Sequence, residues 1–359
     1  MAGIIALRPD GKVFATVSHG KVKQWSTATG RRVGAALVTG AGSIHSVAHS
    51  PDGKLLAVAG HREVAIWDLA TRKRVPLVGH AGAVRSVAFS PTGKLVATAG
   101  DDGTVRLWDP AGGEAVRVLS GHAGGVRSVV FSPNGKILAS ASASTSATAD
   151  KGATVDKGAA VDKGAAGGAV QDGLVRLWRI STGRPIGAGV TVSPGPVHAL
   201  SFNPAGNLLA TSGGGNSVRL WEAATGEPDG EPLVSRSGPV YALTFGARGK
   251  LLATSSGGDN TVQLWNTATR RPAAAPLTGH GGPVRAMRFS ADGKLLATGS
   301  DDGSARLWDA ATGRAEGAPL AGHDGPVWAL RISPDSKRLI TAGADAKVRL
   351  WRLAGKNED

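Results

Sequence analysis

One tryptophan recurs along this chain at nearly constant spacing, and this recurrence restricts the fold more than any other feature of the sequence. The intervals are 42, 41, 70, 43, 44, 43 and 43 residues, so only one of them departs clearly from a common period. A period of this length indicates a repeat architecture, in which each unit is covered by its neighbours. The recurring positions are Trp25, Trp67, Trp108, Trp178, Trp221, Trp265, Trp308 and Trp351.

Each repeat has the pattern of short strands separated by turns. The run VRSVAF, which ends at Phe89, alternates apolar and polar residues and leads into the turn SPTG. The run KLVATA follows, then the turn GDDG, then TVRLW, and a weaker outer strand comes after the tryptophan. Four antiparallel strands per repeat form one blade of a β-propeller. The sequence therefore predicts an all-β protein, a single β-propeller of eight blades built from four-stranded antiparallel sheets.

One blade is expected to be incomplete. Only seven outer strands follow the eight inner sets of three, because the RLAGKNED that follows Trp351 is too short for a turn and a fourth strand. Two interpretations stay open: one blade has three strands, or the sequence is a piece of a longer protein. The alternative description of the ring is seven full blades plus a partial one.

The elements GH, SPDG, DG and WD recur in register through nearly the whole chain, as in GHAGAVRSVAFSPTGKLVATAGDDGTVRLWD from Gly79. By these elements the chain resembles the WD-repeat (WD40) β-propeller family. The resemblance implies a hydrogen-bonded set of His, Ser or Thr, Asp and Trp within a blade. Four blades keep all members: His80, Thr98, Asp102 and Trp108; His122, Ser140, Asp172 and Trp178; His280, Thr298, Asp302 and Trp308; and His323, Thr341, Asp345 and Trp351.

Hydroxyl, imidazole and carboxylate are also the groups of hydrolase triads. Four copies at blade spacing, each with its hydroxyl occupied by the indole, favour a structural role instead, so we expect no catalytic residues. The chain has no cysteine, which excludes disulfides, cysteine-based zinc sites and thiol catalysis. The close pair His45 and His49 lies on a predicted strand, where four residues separate the two by roughly 13 Å. We therefore expect no metal, no cofactor and no small-molecule substrate.

The resemblance also places one side chain of each blade at the upper mouth of the central channel, five residues after the GH-type histidine position. These positions hold His45, Arg85, Arg127, His198, Tyr241, Arg285 and Trp328. Arginines and exposed aromatic residues are typical of interface hot spots, and arginine suits carboxylate or phosphate recognition. We expect these residues to bind a partner protein or peptide, specifically an acidic or phosphorylated segment.

One turn is much longer than the others. The interval between Ser140 and Trp178 exceeds the corresponding interval from Thr98 to Trp108 by 28 residues. The extra sequence contains ADKGATVDKGAAVDKGAAGG, which has no periodicity that could bury a face. The prediction is one WD-repeat domain over 1–359, with a disordered low-complexity insertion at 141–170 between the second and third strands of the fourth blade.

The net charge of +14 favours acidic partners in general. Nucleic-acid binding is a less favoured alternative, because the basic residues follow the repeat and aromatic platforms are scarce outside the mouth. A second alternative is a sensor or autoinhibitory domain of a larger bacterial signalling protein. No membrane span or signal segment is visible, and the absence of cysteine is compatible with the cytoplasm, where we expect the protein.

Overall fold

Eight antiparallel β-sheets, the blades of a propeller, make up the computed structural model. It describes residues 4–40, 42–61, 63–142, 173–192 and 196–353. Blade 1 consists of β1 (Ile5–Leu7), β2 (Val13–Ser18), β3 (Lys21–Ser26) and β4 (Leu37–Val38), and blade 2 consists of β5 (Ile44–His49), β6 (Leu55–Gly60), β7 (Val64–Asp68) and β8 (Arg74–Pro76). Blade 3 consists of β9 (Val84–Phe89), β10 (Val96–Gly100), β11 (Val105–Trp108) and β12 (Ala115–Leu119), and blade 4 consists of β13 (Val126–Phe131), β14 (Ile137–Ser142), β15 (Gly173–Arg179) and β16 (Pro185–Val192).

Blades 5 to 8 repeat the same order of strands, from the channel outward. Blade 5 consists of β17 (Ala199–Phe202), β18 (Leu208–Ser212), β19 (Ser217–Glu222) and β20 (Leu233–Val234), and blade 6 consists of β21 (Leu243–Phe245), β22 (Leu251–Ser255) and β23 (Val262–Asn266). Blade 7 consists of β24 (Val284–Phe289), β25 (Leu295–Ser300), β26 (Ser304–Asp309) and β27 (Leu320–Ala321), and blade 8 consists of β28 (Val327–Ile332), β29 (Arg338–Gly343) and β30 (Val348–Arg352). The predicted eight-bladed all-β propeller is confirmed.

The innermost strands contact one another in a closed ring, from β1 through β5, β9, β13, β17, β21 and β24 to β28, which contacts β1 again. Serine side chains join some of these strands directly, because Ser46 Oγ accepts the Val87 backbone N–H at 3.2 Å and Ser86 Oγ accepts that of Val129 at 3.3 Å. No helix able to cross a membrane occurs in the described ranges.

The outer strands are the least regular part of the propeller. In blade 6 the outer segment is reduced to two isolated bridges, Val262 with Leu277 and Trp265 with Pro272. In blade 8 the described residues form three strands only. Ala141 and Ser142, which the sequence analysis assigned to the insertion, are the last two residues of β14, and Ala141 pairs with Val175. The rest of the predicted insertion, up to residue 170, lies outside the described residues.

Every interface between blades is an apolar cluster that contains one of the recurring tryptophans. Trp108 of blade 3, for example, packs against Ala57, Val64 and Ile66 of blade 2. The last interface follows the same rule, because Trp25 of blade 1 packs against Ile340, Ala342 and other residues of blade 8. The ring is therefore closed between its first and last blades by side-chain packing of the same kind as elsewhere.

The same tryptophan also hydrogen-bonds within its own blade. In blade 3 the Trp108 indole N–H donates to Thr98 Oγ1 at 2.8 Å, and that oxygen lies 2.7 Å from Nε2 of His80. Nδ1 of His80 lies 2.9 Å from the Asp102 carboxylate. A neutral imidazole satisfies all of these contacts, since its Nδ1–H donates to the carboxylate while Nε2 accepts from the threonine hydroxyl. Burial lowers the pKa of His80, although the carboxylate acts to raise it, which favours this neutral form.

The other predicted sets have matching geometry where the structure describes them. In blade 7, His280 lies 2.9 Å from Asp302 and 2.8 Å from Thr298, which accepts from Trp308 at 2.9 Å. In blade 8, His323 lies 3.0 Å from Asp345 and 2.8 Å from Thr341, which accepts from Trp351 at 2.9 Å.

In blade 4, His122 lies 2.7 Å from Ser140, which accepts from Trp178 at 2.8 Å. Asp172, the fourth member of this set, lies outside the described residues. The threonine and serine hydroxyls of all four sets are buried and already hydrogen-bonded, so none is presented to solvent as a nucleophile would be.

Blade 2 deviates from this arrangement in two ways that cost hydrogen bonds. Val58 occupies the threonine position of blade 2, and the buried Trp67 Nε1 has no acceptor among the described residues. His49 occupies the position that Phe89 holds in blade 3, and both of its ring nitrogens are buried without a side-chain partner. Burial, helped by the charge of Arg8, lowers the pKa of His49 to about 4.

The hydroxyl that accepts the indole N–H, supplied by Thr98 in blade 3, should stabilise its blade by about 1 kcal/mol. We expect Thr98→Val to lower the free energy of unfolding by about 1–3 kcal/mol, because it leaves the Trp108 N–H and Nε2 of His80 without partners. The reverse change, Val58→Thr, should raise it by about 0.5–1 kcal/mol by giving Trp67 an acceptor. Urea unfolding of both variants measures the pair. A Val58→Thr protein less stable than the parent would contradict the interpretation.

His49 should make the protein sensitive to acid. Its folded pKa of about 4 lies below the ordinary value of 6.5, so the fold favours the neutral ring and loses stability as pH falls from 6.5 toward 4. His49→Phe should remove up to about 3 kcal/mol of this loss. Thermal unfolding at pH 7 and pH 4.5 tests the change. The matched variant Phe89→His should gain the same pH dependence, and equal pH profiles for all three proteins would refute the prediction.

Candidate functional site

The upper mouth of the channel is built on a recurring irregularity of the innermost strands. In β5, β9, β13, β24 and β28 the pairing with the second strand shifts by one residue at the same place. Such a β-bulge leaves one residue out of the ladder and re-aims its side chain. The bulged residues are His45, Arg85, Arg127, Arg285 and Trp328.

The two remaining mouth residues precede their strands. His198 donates its backbone N–H to the Ser212 carbonyl at 2.9 Å, directly before β17. Tyr241 donates its backbone N–H to Ser255 Oγ at 3.1 Å, shortly before β21. All seven predicted mouth residues therefore occupy equivalent places in consecutive blades, from blade 2 to blade 8.

Arg85 is held by a carboxylate of its own blade. Its Nε donates to Asp101 at 2.9 Å, and Nη2 donates to the same carboxylate. Nη1 points the other way, and lies 3.4 Å from Nε2 of His45 in blade 2. Burial and then the charge of Arg85 lower the pKa of His45, so this imidazole is neutral at pH 7. The guanidinium is thus oriented by Asp101, and its Nη1 side is turned toward the neighbouring blade.

A second cluster forms around Arg285. Nε and Nη2 donate to Asp301 at 2.9 and 2.7 Å, and the guanidinium carbon lies 3.8 Å from the centre of the Tyr241 ring. The ring of His198 contacts Tyr241, with centroids 5.1 Å apart and planes at 59°. Burial and the charge of Arg285 lower the pKa of His198. Three neighbouring blades therefore share one cluster, in which the guanidinium lies over the phenol ring and the imidazole contacts that ring at an angle.

Arg127 and Trp328 differ from these clusters. Both side chains are exposed, Trp328 to 38%. Within the described part of the chain, Arg127 makes no hydrogen bond or ion pair and Trp328 makes no hydrogen bond or ring contact. The seven mouth residues and the carboxylates paired with them include three guanidinium groups and two carboxylates, a net charge of 3 − 2 = +1. The sequence analysis treated the three arginines alike, whereas the structure shows two of them paired.

The geometry defines a propeller with an eight-stranded inner ring and a mouth of aimed side chains. The family model described as "WD domain, G-beta repeat" matches residues 35–68, 71–109, 113–148, 190–222, 230–266, 273–309 and 316–352. Together these matches cover more than half of the chain, and the chain belongs to the WD40 repeat family. Domains of this family are in general protein-interaction scaffolds that bind proteins or peptides.

A crystal structure of the computationally designed Ika8 protein is similar to this chain, with 22% identity and a TM-score of 0.76. The similarity covers 98% of this chain and 96% of that one. At this identity the likeness supports the fold alone. A search of the curated proteins finds no match.

The two arginine clusters should be visible in the titration of their histidines. Arg85→Gln should raise the pKa of His45, because the variant removes a nearby positive charge and leaves the Asp101 carboxylate, which acts to raise that pKa. Arg285→Gln should raise the pKa of His198 in the same way. Proton NMR titration measures both values. The pKa of His280 serves as the control, and it should not move in either variant; unchanged His45 and His198 would contradict the geometry.

Proposed function

We propose that the chain is a non-catalytic scaffold whose upper mouth binds an acidic or phosphorylated segment of a partner protein. The observation that carries the proposal is the pair of exposed, unengaged side chains, Arg127 and Trp328, on bulged positions of the same rim. A cation and a large aromatic residue on a rigid support are the groups that most often dominate a protein interface.

The paired arginines support a narrower role than the sequence analysis gave them. Arg85 and Arg285 each use Nε and Nη2 for an internal carboxylate, and Nη1 of Arg85 also lies 3.4 Å from Nε2 of His45, so the remaining N–H groups of Nη1 are the donors left for a ligand. Because both arginine side chains are held in place before a partner binds, binding costs little of their conformational entropy. Arg127 supplies the charge that no internal carboxylate offsets by direct pairing, and Trp328 supplies apolar contact area.

The net charge of +1 sets how the mouth should discriminate between ligands. Long-range attraction from this rim is weak, so affinity must come from direct contacts that a carboxylate or phosphate makes with oriented N–H groups. We therefore expect a short segment with one or two well-placed anionic groups to bind better than a uniformly acidic chain. The overall charge of +14 is spread over the rest of the surface and does not select this site.

Peptide binding tests the proposal directly. A panel of peptides is prepared in phosphorylated, glutamate-substituted and neutral forms, and binding to the full chain is measured by fluorescence anisotropy. The anionic forms should bind, and Arg127→Glu should weaken them by at least about tenfold, which corresponds to about 1.4 kcal/mol. Trp328→Ala should weaken all forms by a similar factor, because it removes apolar contact.

A matched control separates the mouth from general charge. Arg184 is an exposed arginine of the same blade as Arg127, in the turn between β15 and β16 at the opposite end of the strands. Arg184→Glu should leave peptide binding unchanged. Equal losses in Arg127→Glu and Arg184→Glu would refute a site at the mouth. Steeply salt-dependent binding to random DNA that both variants weaken equally would favour the nucleic-acid alternative.

A further inference from the structure

Two arginines line the inside of the ring below the mouth, where the other blades carry small residues. In blade 3 this position of the innermost strand is the residue that pairs with Ala97 of the second strand, and the register identifies the equivalent residue in the other seven blades. The position is occupied by Ala6, Ala48, Ala88, Val130, Ser201, Thr244, Arg288 and Arg331. The two arginines therefore stand at one level, on the neighbouring strands β24 and β28.

Both guanidinium groups reach solvent although protein surrounds them, as expected for side chains that project into a water-filled axial channel. Burial lowers the pKa of Arg288, and burial together with the charge of Arg288 lowers the pKa of Arg331 to about 9. A guanidinium stays protonated in proteins, so both groups are cationic at neutral pH. The strands β24 and β28 contact each other, and the two arginines stand at the same level of their registers, so the two charges face the same part of the channel.

No carboxylate of the described chain pairs with either arginine. Nη1 of Arg331 donates to the carbonyl of its neighbour Leu330 at 2.8 Å, and Arg288 makes no described hydrogen bond or ion pair. The same level of the ring holds no acidic residue, and the acidic residues Asp101 and Asp301 are engaged by Arg85 and Arg285 at the mouth above. Two like charges in a confined space are unfavourable unless an anion lies between them.

We propose that Arg288 and Arg331 form an oxyanion site inside the channel that binds a phosphate group. The planar guanidinium presents paired N–H donors that match phosphate oxygens, and two such groups on adjacent strands can hold one phosphate from two sides. The small residues of the other blades leave the space for it. Thr244, on the blade next to Arg288, supplies a hydroxyl at the same level. This site is separate from the proposed peptide site and uses none of its residues.

Calorimetric titration of the full chain with inorganic phosphate, at constant ionic strength set by chloride, tests the site. Phosphate should bind at one site per chain and raise the melting temperature. Arg288→Thr and Arg331→Ala put into blades 7 and 8 residues that blades 6 and 2 carry at this level, so both variants should fold. Each should lose phosphate binding by at least tenfold, and each should melt higher than the parent in chloride alone, because one of two repelling charges is gone.

Controls distinguish this site from the mouth. Arg127→Glu and Arg184→Gln should bind phosphate as the parent does, so a failure of the peptide proposal leaves this result intact. Absence of phosphate binding by the parent, or binding that survives both Arg288→Thr and Arg331→Ala, would overturn the proposal.

The phosphate can be free or carried by a phosphorylated side chain, and competition separates the two sources. A phosphotyrosine peptide that displaces inorganic phosphate from the parent indicates a carried phosphate that reaches this level. Simultaneous binding of peptide and free phosphate indicates that the channel takes the free ion. Either result supports the oxyanion site, since both require that phosphate bind there and depend on Arg288 and Arg331.

Discussion

Each recurring indole joins two blades, and the propeller depends on this double use. In seven of the eight blades the N–H group is fixed by a hydroxyl of its own blade, as in Trp108 with Thr98, and in every blade the ring packs on the sheet of the preceding blade. A blade on its own would expose this aromatic face, so it gains stability only when a neighbour is present. Because eight clusters obey the same rule, the interface between the last blade and the first needs no special device, and Trp25 closes the ring there.

The rigid ring in turn fixes what the channel can present. Strands anchored on both faces cannot slide, so side chains on their inner edge keep their height and their distance from the axis. This explains why groups from different blades form defined pairs, such as the Arg285 guanidinium over Tyr241 at 3.8 Å. It also keeps the like charges of Arg288 and Arg331 at one level, where side chains on loops would move apart.

Much of this architecture could be read from the sequence. The spacing of tryptophans indicated the number of blades, and the resemblance to WD repeats indicated the partners of His80, His280 and His323. The bulges could not be foreseen, since a bulge arises from the twist and pairing of two strands and has no composition of its own. The sequence placed Asp101 and Asp301 in the adjacent turns, where they were expected to offset part of the arginine charge, but the direct pairing of Arg85 with Asp101 depends on the bulge and could not be predicted. The arginines at 288 and 331 do have a signal in the sequence, because they replace small residues at one repeat position, but this position is not one of the mouth positions.

The bulges have a consequence for how such a surface can change. The bulged residues take no part in the apolar clusters between blades, so their side chains can be exchanged without loss of that packing. Histidine, arginine and tryptophan already occupy this place in different blades of one chain. The rim positions could therefore be varied as a small library, in the way that antibody loops are varied, while the ring of blades packed by the tryptophans stays the same.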